Sequence, residues 1–386
     1  MLKEVALILT TSLFFSMLFG ALGHPTVLGY ITAGVFLGPF VRLIEMPIVI
    51  SMLGNLGMLM LLFIIGLEFD LIKFRKIWKR ASLIVILQII FGFAIAFTLK
   101  WMFDLNLEFA VLIAFLLSLS STAIAVKLLE EMKEINTKNG AMVISILIVQ
   151  DIVLVPIMLI LKALNGNNTY FTIGANLFIA IGFLVSLIIY LGKESNRLLK
   201  PLKSIFQGNQ ETLTLASVAV CFGFSSIAAF LGLSSAYGAF LGGLILGSFG
   251  NKKEILQFAL PISSILIMMF FISIGAKIDL EYIYKNWLVL GLISSALLVG
   301  KILMNYIILR IVKCPPNKSL FVSTMLSQAS EFSFSLVVIV LKFGGISEAV
   351  QTMLNSLVII SLTFGAIFPV IAKNLYERFY GKKATK

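Results

Sequence analysis

Charge is scarce in this chain. Only 12% of its 386 residues are Asp, Glu, Lys or Arg, against 60% hydrophobic, and mean hydropathy is +1.06. A soluble domain needs roughly a quarter of its residues charged to cover its surface, so a soluble globular protein is excluded. Histidine occurs once, at His24, which removes the Ser–His and His-ligated metal chemistries. Of the two cysteines, Cys221 and Cys314 stand far apart in apolar surroundings and fit no redox or metal spacing. No polar stretch reaches domain size, so no regulatory or catalytic soluble domain is expected. The net charge of +12 comes from basic residues scattered through loops, which in a membrane protein report topology and not nucleic-acid binding.

What the chain does have is apolar runs of the length that crosses a bilayer at ~1.5 Å rise per residue over a ~30 Å core. They fall near 4–22, 26–40, 49–68, 81–101, 107–130, 139–163, 170–191, 210–231, 234–250, 258–276, 286–312, 319–342 and 347–373. The first follows Met1–Glu4, where Lys3 and Glu4 cancel, and reads as an uncleaved span. Thirteen spans put the termini on opposite sides. Lys and Arg number seven in loops on the amino-terminal side and 22 on the other, with Lys301 inside a span. The expected topology is an outside amino terminus and a cytoplasmic carboxyl terminus in a cell membrane.

The chain also repeats itself. A shift of 209 residues takes Gly29, Gly34 and Gly38 to Gly238, Gly243 and Gly247, and Gly66 and Asp70 to Gly275 and Asp279. The same shift takes Lys76 and Trp78 to Lys285 and Trp287, and Ser118 and Ser121 to Ser327 and Ser330. One register across five helices is not explained by a general likeness among glycine-rich membrane helices. The repeats, about 26–163 and 234–373, start seven crossings apart and so run in opposite directions. The fold class is therefore an all-α polytopic membrane protein with two inverted five-helix repeats, the architecture of many secondary transporters.

Polar groups gather at one depth. Asp151 is central in 139–163 and Lys301 in 286–312. Ser118, Ser120, Ser121 and Thr122 are central in 107–130, and Ser327, Gln328, Ser330 and Glu331 in 319–342. A charge at mid-bilayer costs at least ~2.5–3.5 kcal/mol, so Asp151 needs a cavity or a partner. A purely structural Asp151–Lys301 pair leaves the hydroxyl clusters unexplained. SLSSTA and SQASEFSF are sequences where a helix can unwind and present carbonyls, amides and opposed dipole ends to an ion. Hydroxyls bonding back to their own helix would account for one such cluster but less well for both. Glu331 would open the second half-helix of its span, where an anion offsets the positive helix end. Lys301 would either face half-helix carboxyl ends or pair with Asp151. Glu68 and Asp70 are expected at the cytoplasmic interface, and His24, before Pro25, in a tight turn.

At these residues the chain resembles the second cation:proton antiporter family, which includes Kef-type potassium efflux proteins and NapA-type sodium/proton exchangers. The resemblance rests on LGYITAGVFLGP (28–39), LLFIIGLEFDL (61–71), SLSSTAIAVKLL (118–129) and VQDIVLVPIML (149–159). GAFLGGLILGS (238–248), MFFISIGAKIDL (269–280) and SQASEFSFSLV (327–337) complete it. It implies a single transmembrane exchanger domain, a homodimer in membrane lipid, and a mobile core of about 81–163 and 286–373 with crossed broken helices. It also implies that Asp151 binds the ion and that Thr122 lies near it. Gln150 stands where NapA-like members have a second Asp, which is the Kef-like pattern, and the nucleotide-binding domain that gates Kef proteins is not expected here.

The mechanism expected is competition. Asp151 holds a proton or a dehydrated cation but not both, and the exchange of Na+, or of K+ or Li+, for H+ follows. Asp151 and Thr122 are the expected Na+ ligands, with Ser121, exposed carbonyls and water beside them. Gln150 either adds its amide oxygen or orients Asp151. No cofactor is expected, since the ions are the substrates. A channel would need a filter-like loop, and an intramembrane aspartyl protease a second carboxylate sharing a proton with Asp151. The sequence offers no such loop, and although Glu331 is available as a second acid, nothing else in the sequence points to catalysis.

Overall fold

A computed structural model describes residues 2–41, 47–68, 71–163, 210–230, 235–248, 252–342 and 345–380. The described residues are helical with short connections and contain no strand. The chain opens with α1 (Leu2–Ala21) and α2 (Thr26–Val35), the latter running into a π-helical turn at Phe36–Phe40 around Pro39. Between them, His24 donates its amide to Phe19 O at 2.9 Å beside Gly23, whose φ of +72° closes the turn. Next come α3 (Pro47–Glu68), α4 (Leu71–Phe103), α5 (Leu107–Ser118), α6 (Thr122–Glu131) and α7 (Lys138–Ala163). Beyond Gln210 lie α8 (Gln210–Phe230), α9 (Ser235–Gly247), α10 (Lys252–Ala276), α11 (Leu280–Lys285) and α12 (Trp287–Ile311). The last four are α13 (Pro316–Met325), α14 (Phe332–Lys342), α15 (Glu348–Gly365) and α16 (Ile367–Tyr380).

Eight described segments are long and apolar enough to cross a membrane, from Lys3–Ala21 to Glu348–Lys373. The other expected spans correspond to the shorter apolar helices of Thr26–Phe40 and Ser235–Gly247, to α7, and to the broken pair α13 and α14. The span near 170–191 and Asp70 lie outside the described residues. Two boundaries differ from those expected. The fourth helix begins ten residues early because its basic stretch, Lys73 to Arg80, is made of good helix formers that carry the helix past its apolar part. In the second repeat the matching stretch is interrupted at Asn286, which ends α11 and begins α12.

The 209-residue shift reappears in the helix starts: Thr26 and Ser235, Leu71 and Leu280, Leu107 and Pro316. Turn chemistry sets several of these starts. Asn106 caps α5 by accepting Phe109 N at 2.9 Å, and Asp279 caps α11 by accepting Tyr282 N at 2.9 Å.

The residues divide into two compact units. One comprises 1–44, 77–150 and 274–386, and the other 45–76 and 151–273. In the second unit α3 lies along α9 with almost no side-chain spacer: a Cβ at Gly66 would meet Phe240 O and Leu244 N, and one at Gly243 would meet Phe63 O. In the first unit a Cβ at Gly275 would meet Ile31 O and Val35 N. These are the same contact, moved by 209 residues and with the repeats exchanged. The glycines that mark the repeat in sequence are there to let backbones touch.

Candidate functional site

The site is built in the first unit, around the gaps between α5 and α6 and between α13 and α14. Helix α5 stops at Ser118 and α6 starts at Thr122, with Leu119 in extended conformation at φ −90°, ψ 142°. The second gap runs from Leu326 to Glu331. A break at this depth releases backbone groups that have no water to turn to, and each must find a partner. The sequence-predicted residues supply many of them. Ser118 Oγ shares its one hydrogen between Ala114 O at 2.7 Å and Gln88 O at 3.0 Å. Ser121 caps α6, accepting Ile124 N at 3.3 Å. Ser327 Oγ returns to Thr324 O at 2.8 Å, and Ser330 Oγ accepts Phe332 N at 3.3 Å. Back-bonded hydroxyls are thus present, but they sit at the ends of half-helices and not within continuous ones.

The gaps meet directly, since Ser120 Oγ donates to Leu326 O at 2.8 Å. Each gap also receives a side chain from the helix that follows its broken pair, α7 for the first and α15 for the second. Gln150 Oε1 accepts Ser120 N at 3.0 Å, and Ser361 Oγ accepts Ala329 N at 2.8 Å. Ser120 and Ala329 are again 209 residues apart.

Lys301 is fully buried and donates Nζ to Leu116 O at 3.1 Å and to Leu119 O. These contacts put Nζ at the carboxyl end of α5, where the helix dipole is negative, the first of the two placements expected for it. Glu331 does the converse, in a way sequence did not suggest. It precedes α14 as expected, yet its carboxylate also accepts from the Ser121 hydroxyl and the Ala123 amide, in the first turn of α6. One acid thereby stands at the amino ends of two half-helices. Its other oxygen, Oε2, is buried without a hydrogen-bond partner.

Two residues of this centre were missed. Gln88 on α4 and Asn305 on α12 are buried and bonded to each other, Gln88 Nε2 donating to Asn305 Oδ1 at 2.6 Å. Gln88 Oε1 in turn accepts Gln150 Nε2 at 2.8 Å. Asn305 stands one helical turn after Lys301, and that spacing was the available signal. Thr122 is buried at the first position of α6. Asp151 follows Gln150 on α7 and is half-buried. Farther along, Glu131 at the end of α6 accepts Thr26 N at 3.2 Å, and Lys373 on α16 reaches Glu134 at 3.6 Å, so the connection between α6 and α7 is tied to other helices of the unit.

A family model described as sodium/hydrogen exchanger, transmembrane, matches residues 6–373. The chain belongs to this exchanger family. It is 35% identical to an iron transporter, MagA, of Paramagnetospirillum magneticum over 82% of this chain and 72% of that protein. It is 29% identical to a glutathione-regulated potassium-efflux system protein of Haemophilus influenzae over 98% of this chain and 62% of that one. With the potassium-efflux protein KefC of Escherichia coli it shares 31% over 81% of this chain and 51% of the relative. The exchanger therefore spans between about half and three quarters of these relatives' lengths. Its fold matches the sodium proton antiporter MjNhaP1 from Methanocaldococcus jannaschii, with a TM-score of 0.68 at 16% identity, covering 97% and 98% of the two chains. Membership makes the chain a multi-pass membrane protein of the cation/proton antiporter class and not an enzyme, with the transported ions as its substrates.

Proposed function

We propose that this exchanger moves Na+ against H+ by competition at Asp151. The observation that supports this reading most is how the half-helices are compensated. Lys301 serves the carboxyl end of α5, Glu331 serves the amino end of α6, and Gln150 serves the gap between them. These charged and polar groups are occupied by the backbone. Asp151 follows Gln150 on α7, directly beside this compensated gap, and we assign it as the acid that alternates between a proton and a cation. Thr122, Ser121 and exposed carbonyls are the further oxygen ligands we assign to Na+, the hard-oxygen set such an ion takes. Gln150, its amide held by Ser120 and Gln88, orients the acid. If Lys301 keeps its proton, both loaded forms of Asp151 carry the same charge, and exchange is one for one.

The remaining parts of the reading follow from the same class. The centre built on 81–163 and 286–373 would move as a core against a dimerisation scaffold in an elevator cycle. The protein would act as a homodimer in the cell membrane, amino terminus outside. A K+/H+ exchange is the second reading. It is favoured by Gln150 in place of a second acid and by relatives named as potassium-efflux proteins.

Purified protein in liposomes, given Na+, K+ and Li+ over a pH series, tests both. Saturable Na+-driven proton movement, lost in Asp151→Asn, is the expected result. Exchange with K+ alone would establish the second reading, and full activity in Asp151→Asn would remove the carrier assignment.

A further inference from the structure

The hydrogen bonds around Gln88 close on themselves. Ser120 N donates to Gln150 Oε1 at 3.0 Å, and Gln150 Nε2 donates to Gln88 Oε1 at 2.8 Å. Gln88 Nε2 donates to Asn305 Oδ1 at 2.6 Å, and Asn305 Nδ2 donates to Leu326 O at 3.3 Å. Ser120 Oγ, donating to the same Leu326 O at 2.8 Å, completes the ring. Every amide in it both donates and accepts in one consistent direction, and all its side chains are at most 1% exposed. Gln150 Nε2 has a second acceptor in Ser118 O at 3.0 Å. The ring joins α4, α7 and α12 to both helix gaps.

Three properties separate this arrangement from ordinary core polarity. It contains no ionisable group, so nothing in it changes charge when a proton replaces a cation. It takes one carbonyl from the second gap through Asn305, while Lys301, one turn away on the same helix, takes carbonyls from the first. It also fixes the amide of the residue preceding Asp151, and hence the rotation of α7 at that point relative to the first gap. A buried amide ring left incomplete costs far more than a complete one contributes, because the orphaned group has no water to turn to.

We propose that Gln88 and Asn305 are positioning residues for the exchanged cation: through this neutral ring they hold the two helix gaps and α7 in the register that sets cation affinity. The inference rests on the reading of Asp151 as the ion site, and its test separates the two. Cation-driven proton movement is measured in liposomes for the parent, Gln88→Leu, Asn305→Leu, the double variant and Asp151→Asn. Gln88→Leu and Asn305→Leu each raise the apparent KM for the cation about tenfold, the size expected for one orphaned buried amide, with maximal rate within about twofold. Because they open one ring, the double variant shifts KM little further, and not by the hundredfold product that independent sites give.

Gln88→Asn, one methylene shorter, keeps a neutral amide on α4 but cannot reach both Gln150 and Asn305. It is expected to raise KM as well, and it gives the answer should the leucine variants not fold. A parent-like KM in folded Gln88→Leu or Gln88→Asn overturns the proposal, as does a multiplicative double variant. If Asp151→Asn still exchanges, it is the ion-site reading that falls; if Asp151→Asn is inactive while KM in the Gln88 variants is unmoved, only the ring's role falls.

Discussion

Gly92 offers a sharp test of how closely α4 must approach the first helix gap. It sits one turn after Gln88, and a Cβ there would overlap Ser118 Oγ and stand 2.7 Å from Ala114 O. The hydroxyl cannot simply swing aside, because it holds Ala114 O and Gln88 O together. Gly92→Ala therefore forces one of two losses. Either the helices part, at the roughly 1–3 kcal/mol typical of overpacking, or Ser118 rotates and forfeits its shared hydrogen bond, worth about 1 kcal/mol. Against this, Ala in place of Gly within a helix gains about 1 kcal/mol. Subtracting that gain from these ranges leaves a net destabilisation of up to about 2 kcal/mol. Thermal unfolding in detergent, followed by size-exclusion fluorescence, reads the change, and liposome exchange reads its effect on transport. Adding Ser118→Ala should recover only part of the loss, since the backbone oxygen of Ala114 remains in the way. A Gly92→Ala protein more stable than its parent by about 1 kcal/mol, the whole gain of Ala over Gly in a helix, would refute the close approach.

Thr122→Val should raise the apparent KM for the cation more than it lowers maximal rate, because it removes a hydroxyl ligand or its support; unchanged KM for every cation would assign Thr122 to packing alone. Asp151→Asn should yield folded, inactive protein whose unfolding temperature is equal to or above the parent's, since a half-buried charge no longer has to be partly desolvated; a large drop would make Asp151 a structural partner instead. Exchange should not respond to imposed potassium-diffusion potentials when Na+ is the exchanged ion. Steep dependence, at ~2.3 kcal/mol per charge per 100 mV, that vanishes in Lys301→Gln would make Lys301 a second proton carrier and the exchange two for one.

Much of the fold was legible because bilayer helices must be apolar for their full length and because the duplication preserved its register. The helix gaps were legible for a related reason: hydroxyls at mid-bilayer are conspicuous against leucine and isoleucine. The partners across those gaps were not. Gln88 is a lone amide in a long apolar helix, and its meaning appears only when Gln150 and Asn305, 62 and 217 residues away, close on it. Glu331 was placed correctly at the start of its own half-helix, but nothing in its neighbourhood in sequence points to Ser121 and Ala123. The early start of α4 escaped because hydropathy marks where a helix enters lipid and not where its hydrogen bonds begin. Periodicity and composition speak for one helix at a time, and this centre is made of contacts between helices.

The exchanged glycine contacts bear on how the chain is made. The groove of α2 at Ile31–Val35 is filled by Gly275, and Gly66 on α3 meets Phe240 and Leu244. Each half thus supplies the surface that the other half's second or third helix needs. At the ribosome's pace of about 5–20 residues per second, the partner of α2 emerges on the order of 12–50 s after it. During that interval the early helices sit in the bilayer with glycine faces uncovered, open to lipid or to a wrong neighbour. Duplication here did not produce two halves that assemble as finished pieces. The polypeptide is interlaced, and its first half stays incomplete until the second has been synthesised.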